Sequence, residues 1–309
     1  VEPAVLREKL EYVVPQKRAL VEDTFGVDVA DTEEPGAFDV DALHDEFAEF
    51  GDRLAEAGMT VNAGEFLAAA IDDGRKVMFE GAQGTTIDID HGNYPYVTSS
   101  NPTAGGATTG TGLSPGVVGG GEVIGIVKAY LTRVGSGPLP TELGGVVGDT
   151  PGYEEQGEGE NEELATQIRE EGGEYGTVTG RPRRVAWLDM PMLRHAARVS
   201  GFTGLAINHL DVLAGLDEVR VGDAYTLDGE ELHTLPATTE EWGRCDATYR
   251  SFDGWPEVDW AEAASEGYEA LPEDARAYVE YIEDELETPT YAIGVGPGRG
   301  ETIVRERPF

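Results

Sequence analysis

Residues 77–112 read VMFEGAQGTTIDIDHGNYPYVTSSNPTAGGATTGTG. Val77, Met78 and Phe79 carry the signal of a short buried strand, and the chain then breaks at Gly81 and Gly84 around the amide of Gln83. A strand that ends in a glycine turn with polar side chains is where open α/β sheets place their ligands. The rest of the run is crowded with Gly, Ser and Thr, which makes a poor core and a good lining for an oxygen-rich ligand. A long polar surface loop has the same composition.

Upstream, the pattern is helical. Leu6, Leu10, Val13 and Val14 share a face before Pro15 stops it; Leu43, Phe47, Phe50 and Leu54 recur on another, with Asp41 as start and Gly58 as stop. Asn62 and Glu65 resemble a capping box for a helix that Gly74 ends. Downstream, 117–131 reads as a packed helix or strand. Residues 149–176, acidic and glycine-rich, read as a solvated loop with a short helix around Leu164 and Ile168. Asp189 is placed as an N-cap with Pro191 in the first turn and Gly201 as the end. The strand LAIN runs into His209-Leu210-Asp211, Ala275 to Leu286 is a helix, and Tyr291–Ile293 is a strand running into GVGPGRG. Helices alternating with strands that end in polar turns imply an α/β fold with a mainly parallel central sheet flanked by helices. The organisation expected is a helical portion, 1–76, and an α/β portion, 77–309, of one domain.

Composition narrows the function. The 309 residues carry 60 Asp and Glu against 22 Lys and Arg, a net charge of −38, with acids spread along the chain. Binding to nucleic acid or an anionic membrane needs a basic face, so neither is expected. A charge this large repels itself unless concentrated salt screens it, which points to a salt-rich cytosol. Cys245 is alone, so no internal disulfide forms. No run approaches a membrane span and no signal core opens the chain, so a cytoplasmic protein is expected.

Several motifs are excluded. No Walker A loop, Rossmann fingerprint, H-E-x-x-H or C-x-x-C occurs. Gly112-Leu113-Ser114-Pro115-Gly116 matches the nucleophile-elbow pattern, but Pro115 has no N–H to offer an oxyanion. The informative cluster is Thr177-Val178-Thr179-Gly180-Arg181-Pro182-Arg183-Arg184. Arginine forks suit phosphate and carboxylate, and an acidic chain needs a local positive patch to hold an anion. A basic turn pairing with neighbouring acids is the other reading. Asp211, at a strand end, has the chemistry to read a ring N–H beside an exocyclic amine, and is equally suited to capping a helix.

Taken together, FEGAQGTTIDIDHGNYPYVTSSNPTAGG, TRVGSGPLPTEL, EYGTVTGRPRRVAWLD, LDVLAGLDEV and GVGPGRGETIVRERPF closely resemble the adenylosuccinate synthetase family. The resemblance implies a P-loop-NTPase-like architecture and a C–N-bond-forming ligase of AMP biosynthesis, a homodimer whose partners are IMP, L-aspartate and GTP, with Mg²⁺. The γ-phosphoryl of GTP goes to O6 of IMP, and the aspartate amine then displaces phosphate. Carried over by motif, Gln83, Thr98 and Arg181 contact IMP. Thr177, Val178, Thr179, Gly180, Arg181, Pro182 and Arg183 close over aspartate, and Arg183 also reaches the GTP phosphates. His209, Leu210, Asp211, Gly294, Val295 and Gly296 frame the guanine.

This sequence departs from the family in three places. Val178 stands where a second Thr is usual and His209 where Lys is usual. The phosphate loop GDEGKGK, the Asp that serves as base and Mg²⁺ ligand and the His that serves as acid have no counterpart here, so neither catalytic nor metal-binding residues are assigned. The expectation is an N-terminally shortened synthetase. A non-catalytic nucleotide-binding module and an inactive truncated synthetase remain open beside it.

Overall fold

Lys128, Asn208 and Gly294 end three neighbouring strands, and that adjacency positions the site. The computed structural model describes residues 2–144, 161–176 and 180–308. Contacts divide it into two units, Val1–Val77 and Met78–Phe309.

The first unit is helical: α1 (Pro3–Ala19), α2 (Val40–Glu56) and α3 (Ala63–Asp72). Pro15 does not stop α1 as expected; the helix runs through it. Proline removes one N–H and crowds the preceding turn, and here the rungs on either side hold. The cap of α2 is Asp39, which accepts from the amides of Asp41 and Ala42, rather than Asp41. A carboxylate just outside the first turn is the one that can reach those unpaired donors. Asn62 caps α3 as expected, accepting from the Glu65 amide.

The second unit opens with a long loop containing α4 (Gly105–Thr111) and α5 (Pro115–Val118). Then come β1 (Ile124–Lys128), β2 (Tyr130–Arg133), β3 (Glu142–Leu143), α6 (Glu162–Glu171), β4 (Arg184–Asp189), α7 (Met190–Ser200) and β5 (Gly204–Asn208). The remainder is β6 (Glu218–Leu227), β7 (Glu230–Leu232), α8 (Thr239–Trp242), β8 (Asp246–Asp253), α9 (Trp260–Glu266), α10 (Glu273–Leu286), β9 (Thr290–Gly294) and β10 (Thr302–Val304).

One sheet has the order β1-β5-β9-β10, parallel across its first three strands, with Lys128 opposite Asn208 and Ile207 opposite Ile293. The carboxyl ends of parallel strands are the ligand side of such a sheet. The second sheet joins β2, β4, β6 and β7 in order, with β3 on β4 and β8 on β6. Only its β4–β6 pairing is parallel. The α/β class therefore holds, with mixed sheets, because hairpins such as β6–β7 need only a tight turn.

The helix read from Ala275 to Leu286 is α10, and its buried stripe of Ala275, Tyr278, Val279 and Ile282 packs with Leu205, Ile207 and Ile293 of the first sheet. Each large apolar side chain so buried contributes about 1.5–3 kcal/mol. Tyr278 Oη donates to the Ala129 carbonyl at 2.5 Å, tying α10 to the end of β1.

Two further expectations are corrected. No strand forms at Val77–Phe79: Met78 is 75% exposed and no described strand pairs there. An apolar run becomes a strand only where a ladder partner takes its backbone groups. Of 149–176, residues 149–160 lie outside those described, but the described remainder is not a solvated loop: α6 buries Ala165, Ile168 and Arg169, and Glu174 is 1% exposed. Leu164 and Ile168 fall within that helix.

Asp189 caps α7 through the Met192 amide, with Pro191 and Gly201 where the sequence puts them. It is fully buried, and both its oxygens lie within 2.8 Å of Tyr225 Oη, which also accepts from Trp242 Nε1. One phenol hydrogen cannot serve both contacts, so a protonated carboxyl suits the geometry. Burial pushes the Asp189 pKa up to about 7, against the opposing pull of Tyr225 and the Met192 amide. Because the folded value exceeds the unfolded one, this group favours folding most at low pH. Its contribution is lost as pH rises from about 4 through 7, at a rate of at most roughly 1.4 kcal/mol per pH unit. Asp189→Asn, which keeps the cap acceptor, is expected to flatten that part of the stability profile relative to wild type in denaturant titrations across the window.

Candidate functional site

The loop that opens the second unit is organised by a buried carboxylate. Asp88 is fully buried and accepts from the amides of Asp90, His91 and Thr103, from the Thr103 hydroxyl and from Asn101 Nδ2. Burial raises its pKa, but the amides of His91, Asp90 and Thr103 outweigh that and hold it below the usual value. The chain passes so close to itself that a Cβ on Gly92 would sit 2.4 Å from the Asp88 carbonyl. The loop is fastened outside itself by Arg133, which donates to Asn93 Oδ1 and the Tyr96 carbonyl, and by Thr239, which donates to the Tyr94 carbonyl.

On this frame Gln83 and Thr98 come together through Ser100. Ser100 Oγ donates to Gln83 Oε1 at 2.9 Å and lies 3.2 Å from Thr98 Oγ1, which donates to the Ile87 carbonyl at 3.0 Å. With its oxygen occupied, the exposed Gln83 amide keeps its N–H donors for a ligand. Gln83 sits at φ 74°, a left-handed conformation that non-glycine residues adopt mainly where surrounding structure enforces it.

A second group forms at the ends of β1, β5 and β9. The Leu210 amide donates to the Gly294 carbonyl at 3.2 Å, and Trp255 Nε1 donates to the Leu210 carbonyl, so the turn after β5 is clamped against the end of β9. The side chains of Leu210 and Val295 point into the core; their part is to hold the walls. A Cβ on Gly294 would meet Asn208 Oδ1 at 2.5 Å, so glycine lets β9 end close against the Asn208 side chain. Gly296 faces Glu301, which bonds the Gly298 amide.

His209 sits at φ 61° with its ring edge-on to Tyr130, centroids 5.9 Å apart. Burial, and then Lys128, lower its pKa, so it presents a neutral ring at neutral pH. Asp211 is half-buried, and its Oδ1 is shut off from solvent with no partner among the described residues. Burial raises its pKa against the pull of its own amide. An unpaired buried acceptor costs about 1–3 kcal/mol, which marks Asp211 as a candidate contact for a donor.

The arginine turn divides by side. The Arg183 amide bonds the Glu174 carbonyl and the Gly176 amide bonds the Arg181 carbonyl, so the described arms 174–176 and 180–183 run antiparallel, with Tyr175 opposite Pro182. Gly180, at φ 63°, begins the second arm; Thr177, Val178 and Thr179 lie outside the described residues. Arg184 faces inward, forking onto both oxygens of Glu142 at 2.7 and 2.5 Å and donating to the carbonyls of Gly135 and Gly137. For this residue the basic-turn reading holds. Arg181 is exposed, and Arg183 is partly exposed and paired with Glu174.

The family model for adenylosuccinate synthetase matches residues 1–303. The chain belongs to the adenylosuccinate synthetase family. It is 80% identical over 308 residues to an adenylosuccinate synthetase of Haloarcula marismortui, covering all of this chain and 67% of that protein. A relative from Natronomonas pharaonis is 69% identical, with 98% of this chain and 66% of that protein aligned. Among solved structures, the fully ligated adenylosuccinate synthetase of Plasmodium falciparum superposes with a TM-score of 0.74 at 32% identity, covering 96% of this chain and 64% of that one. The chain thus spans about two thirds of the length of these relatives. The ligase family inferred from the motifs is confirmed, and the salt-adapted composition agrees with the archaeal adenylosuccinate synthetases it matches.

Three residues beside the site went unassigned in the sequence. Ser100 is one more hydroxyl in a run full of them. Lys128 is one of four lysines in the chain, a rarity that could have marked it. Glu174 lies in a stretch whose acidity suggested solvent, and nothing local distinguishes it from its exposed neighbours.

Proposed function

We propose that this chain is the substrate-binding portion of a cytoplasmic, homodimeric adenylosuccinate synthetase. Its reaction joins L-aspartate to IMP at the expense of GTP, by way of 6-phosphoryl-IMP. Asp211 accepts from the ring N–H and exocyclic amine of guanine, the neutral His209 ring covers the base, and Gly294 to Gly296 line its other side. Arg183 reaches the phosphates, where positive charge offsets the negative charge of phosphoryl transfer. Gln83 and Thr98 contact IMP, and the segment from Thr177 to Arg183, with Gly180, Arg181 and Pro182, holds aspartate, Arg181 also touching IMP. Among the described residues no three His, Cys, Asp or Glu cluster as a metal site, so no step is derived through Mg²⁺. No described helix is long and apolar enough to cross a membrane.

The observation that carries this reading is Asp211 Oδ1, buried without a partner among the described residues and held between the ends of β5 and β9. Calorimetric titration of this chain with GTP and with ATP in concentrated KCl tests it. Tighter binding of GTP, by at least about tenfold, is expected from an acceptor matched to guanine donors and opposed to the adenine ring acceptor. Equal affinities would sink the assignment of Asp211.

A further inference from the structure

Glu174 follows α6, across from Arg183 on the antiparallel arms, and its side chain is 1% exposed. Three donors from three separate strands or turns meet it: Lys128 Nζ at 2.5 Å, Tyr130 Oη at 2.7 Å and Arg183 Nη1 at 2.7 Å. A buried carboxylate is costly unless it is paired and hydrogen-bonded, and here each oxygen faces a cation. The donors hold its pKa below the usual value despite burial, so it is the ionised form that fills the site.

The arrangement leaves something over. Arg183 spends one N–H on Glu174, and its backbone is pinned from both sides, its amide on the Glu174 carbonyl and its carbonyl on Arg169 Nε. Lys128 spends two of its three donors, on Glu174 and on Thr132 Oγ1. One carboxylate against two cations leaves an excess of positive charge around Glu174, with donors that no described residue takes. It stands at the end of β1, beside Asn208, His209 and the Tyr130 ring.

We propose that Glu174 is the positioning residue of the nucleotide phosphate site: it fixes the Arg183 guanidinium and the Lys128 ammonium side by side, so that their remaining donors meet the phosphates of a nucleotide whose base lies against Asp211. This rests on the reading of Arg183 as a phosphate contact. The salt regime gives the device its reason. Near molar salt the Debye length falls to about 3 Å, so distant charges of either sign contribute little, and a phosphate is recruited only by cations already held at contact distance. A buried carboxylate does that without being screened. Long flexible side chains immobilised beforehand also lose less freedom when the ligand binds.

The test compares GTP with guanosine, which carries the same base and no phosphate, binding to this chain in concentrated KCl. Glu174→Gln keeps the shape and one acceptor but removes the charge that holds both cations. The GTP-to-guanosine affinity ratio is expected to fall about tenfold while guanosine affinity is unchanged, whereas general damage to the fold would lower both. A ratio that stays the same overturns the proposal, and one that rises does so too, because Glu174 would then be competing with phosphate for Arg183. Glu174→Asp, whose shorter arm cannot reach both cations at once, is expected to lower the ratio by a smaller factor. That variant decides the matter if Glu174→Gln does not fold, and an unchanged ratio there is equally fatal. Equal binding of GTP and guanosine by the wild-type chain would instead refute the underlying placement of Arg183.

Discussion

Replacing Asp211 by Asn is expected to weaken guanine-nucleotide binding about 100-fold and to improve binding of xanthine nucleotides. The wild-type carboxylate offers acceptors only, and one of its oxygens, Oδ1, has no partner among the described residues. Guanine presents two donors on the edge such a group reads, a ring N–H and an amine. Asparagine turns one of the acceptors into an NH₂, which faces the guanine amine donor to donor. Xanthine carries a carbonyl where guanine has the amine, so the same substitution suits it. Because Leu210 and Gly294 are held backbone to backbone and Trp255 secures the Leu210 carbonyl, the turn has little room to rearrange around the mismatch. Competition binding of GTP and XTP to the two proteins in concentrated KCl measures the exchange. An unchanged order of affinity in the variant would show that Asp211 does not read the base.

Replacing Asp88 by Ala is expected to cost about 3–5 kcal/mol locally and to abolish IMP binding while guanine-nucleotide binding survives. The side chain accepts from the amides of Asp90, His91 and Thr103, and its removal leaves buried donors with nothing in exchange. The loop it organises carries Gln83 and Thr98, whereas the residues proposed to frame guanine stand at the ends of β5 and β9. Hydrogen exchange at those three amides should speed up sharply while exchange in α10 stays slow. Loss of GTP binding together with IMP binding would show the loop is not a separable unit. The native pKa of Asp88 is depressed, so its stabilising contribution is present above the unfolded value of 3.8 and is lost as pH falls through the lowered native value.

Asp88 and Asp189 show what local sequence can and cannot carry. Each accepts from backbone amides just downstream, and the N-cap role of Asp189 is legible from Pro191 and Gly201 around it. Their ionisation is opposite. Asp88 collects amide donors, which outweigh its burial and favour the charged form; Asp189 meets chiefly a phenol and keeps a raised pKa near 7. Asp88 draws its donors from its own loop, whereas Asp189 meets a phenol 36 residues away, and stability is expected to respond to pH with opposite sign at the two sites.

The arginines tell the same story. Three in four positions mark an anion site, yet spacing alone does not say that Arg184 turns inward onto Glu142 while Arg183 stays partly open on Glu174. An extended arm sends alternate side chains to opposite faces, and which face is the core depends on what packs beneath.

The sequence by itself determined the α/β alternation, the helices Met190–Ser200 and Glu273–Leu286, the strands ending at Asn208 and Gly294, and the family. Those follow from apolar period, capping chemistry and long motifs, all properties of neighbours along the chain. Only the tertiary structure decided that Val77–Phe79 pairs with no described strand, that Glu174 is buried between two cations, and that Asp211 keeps an oxygen with no partner among the described residues. Burial and hydrogen-bond partners are set by segments scores of residues apart, and no local pattern encodes them.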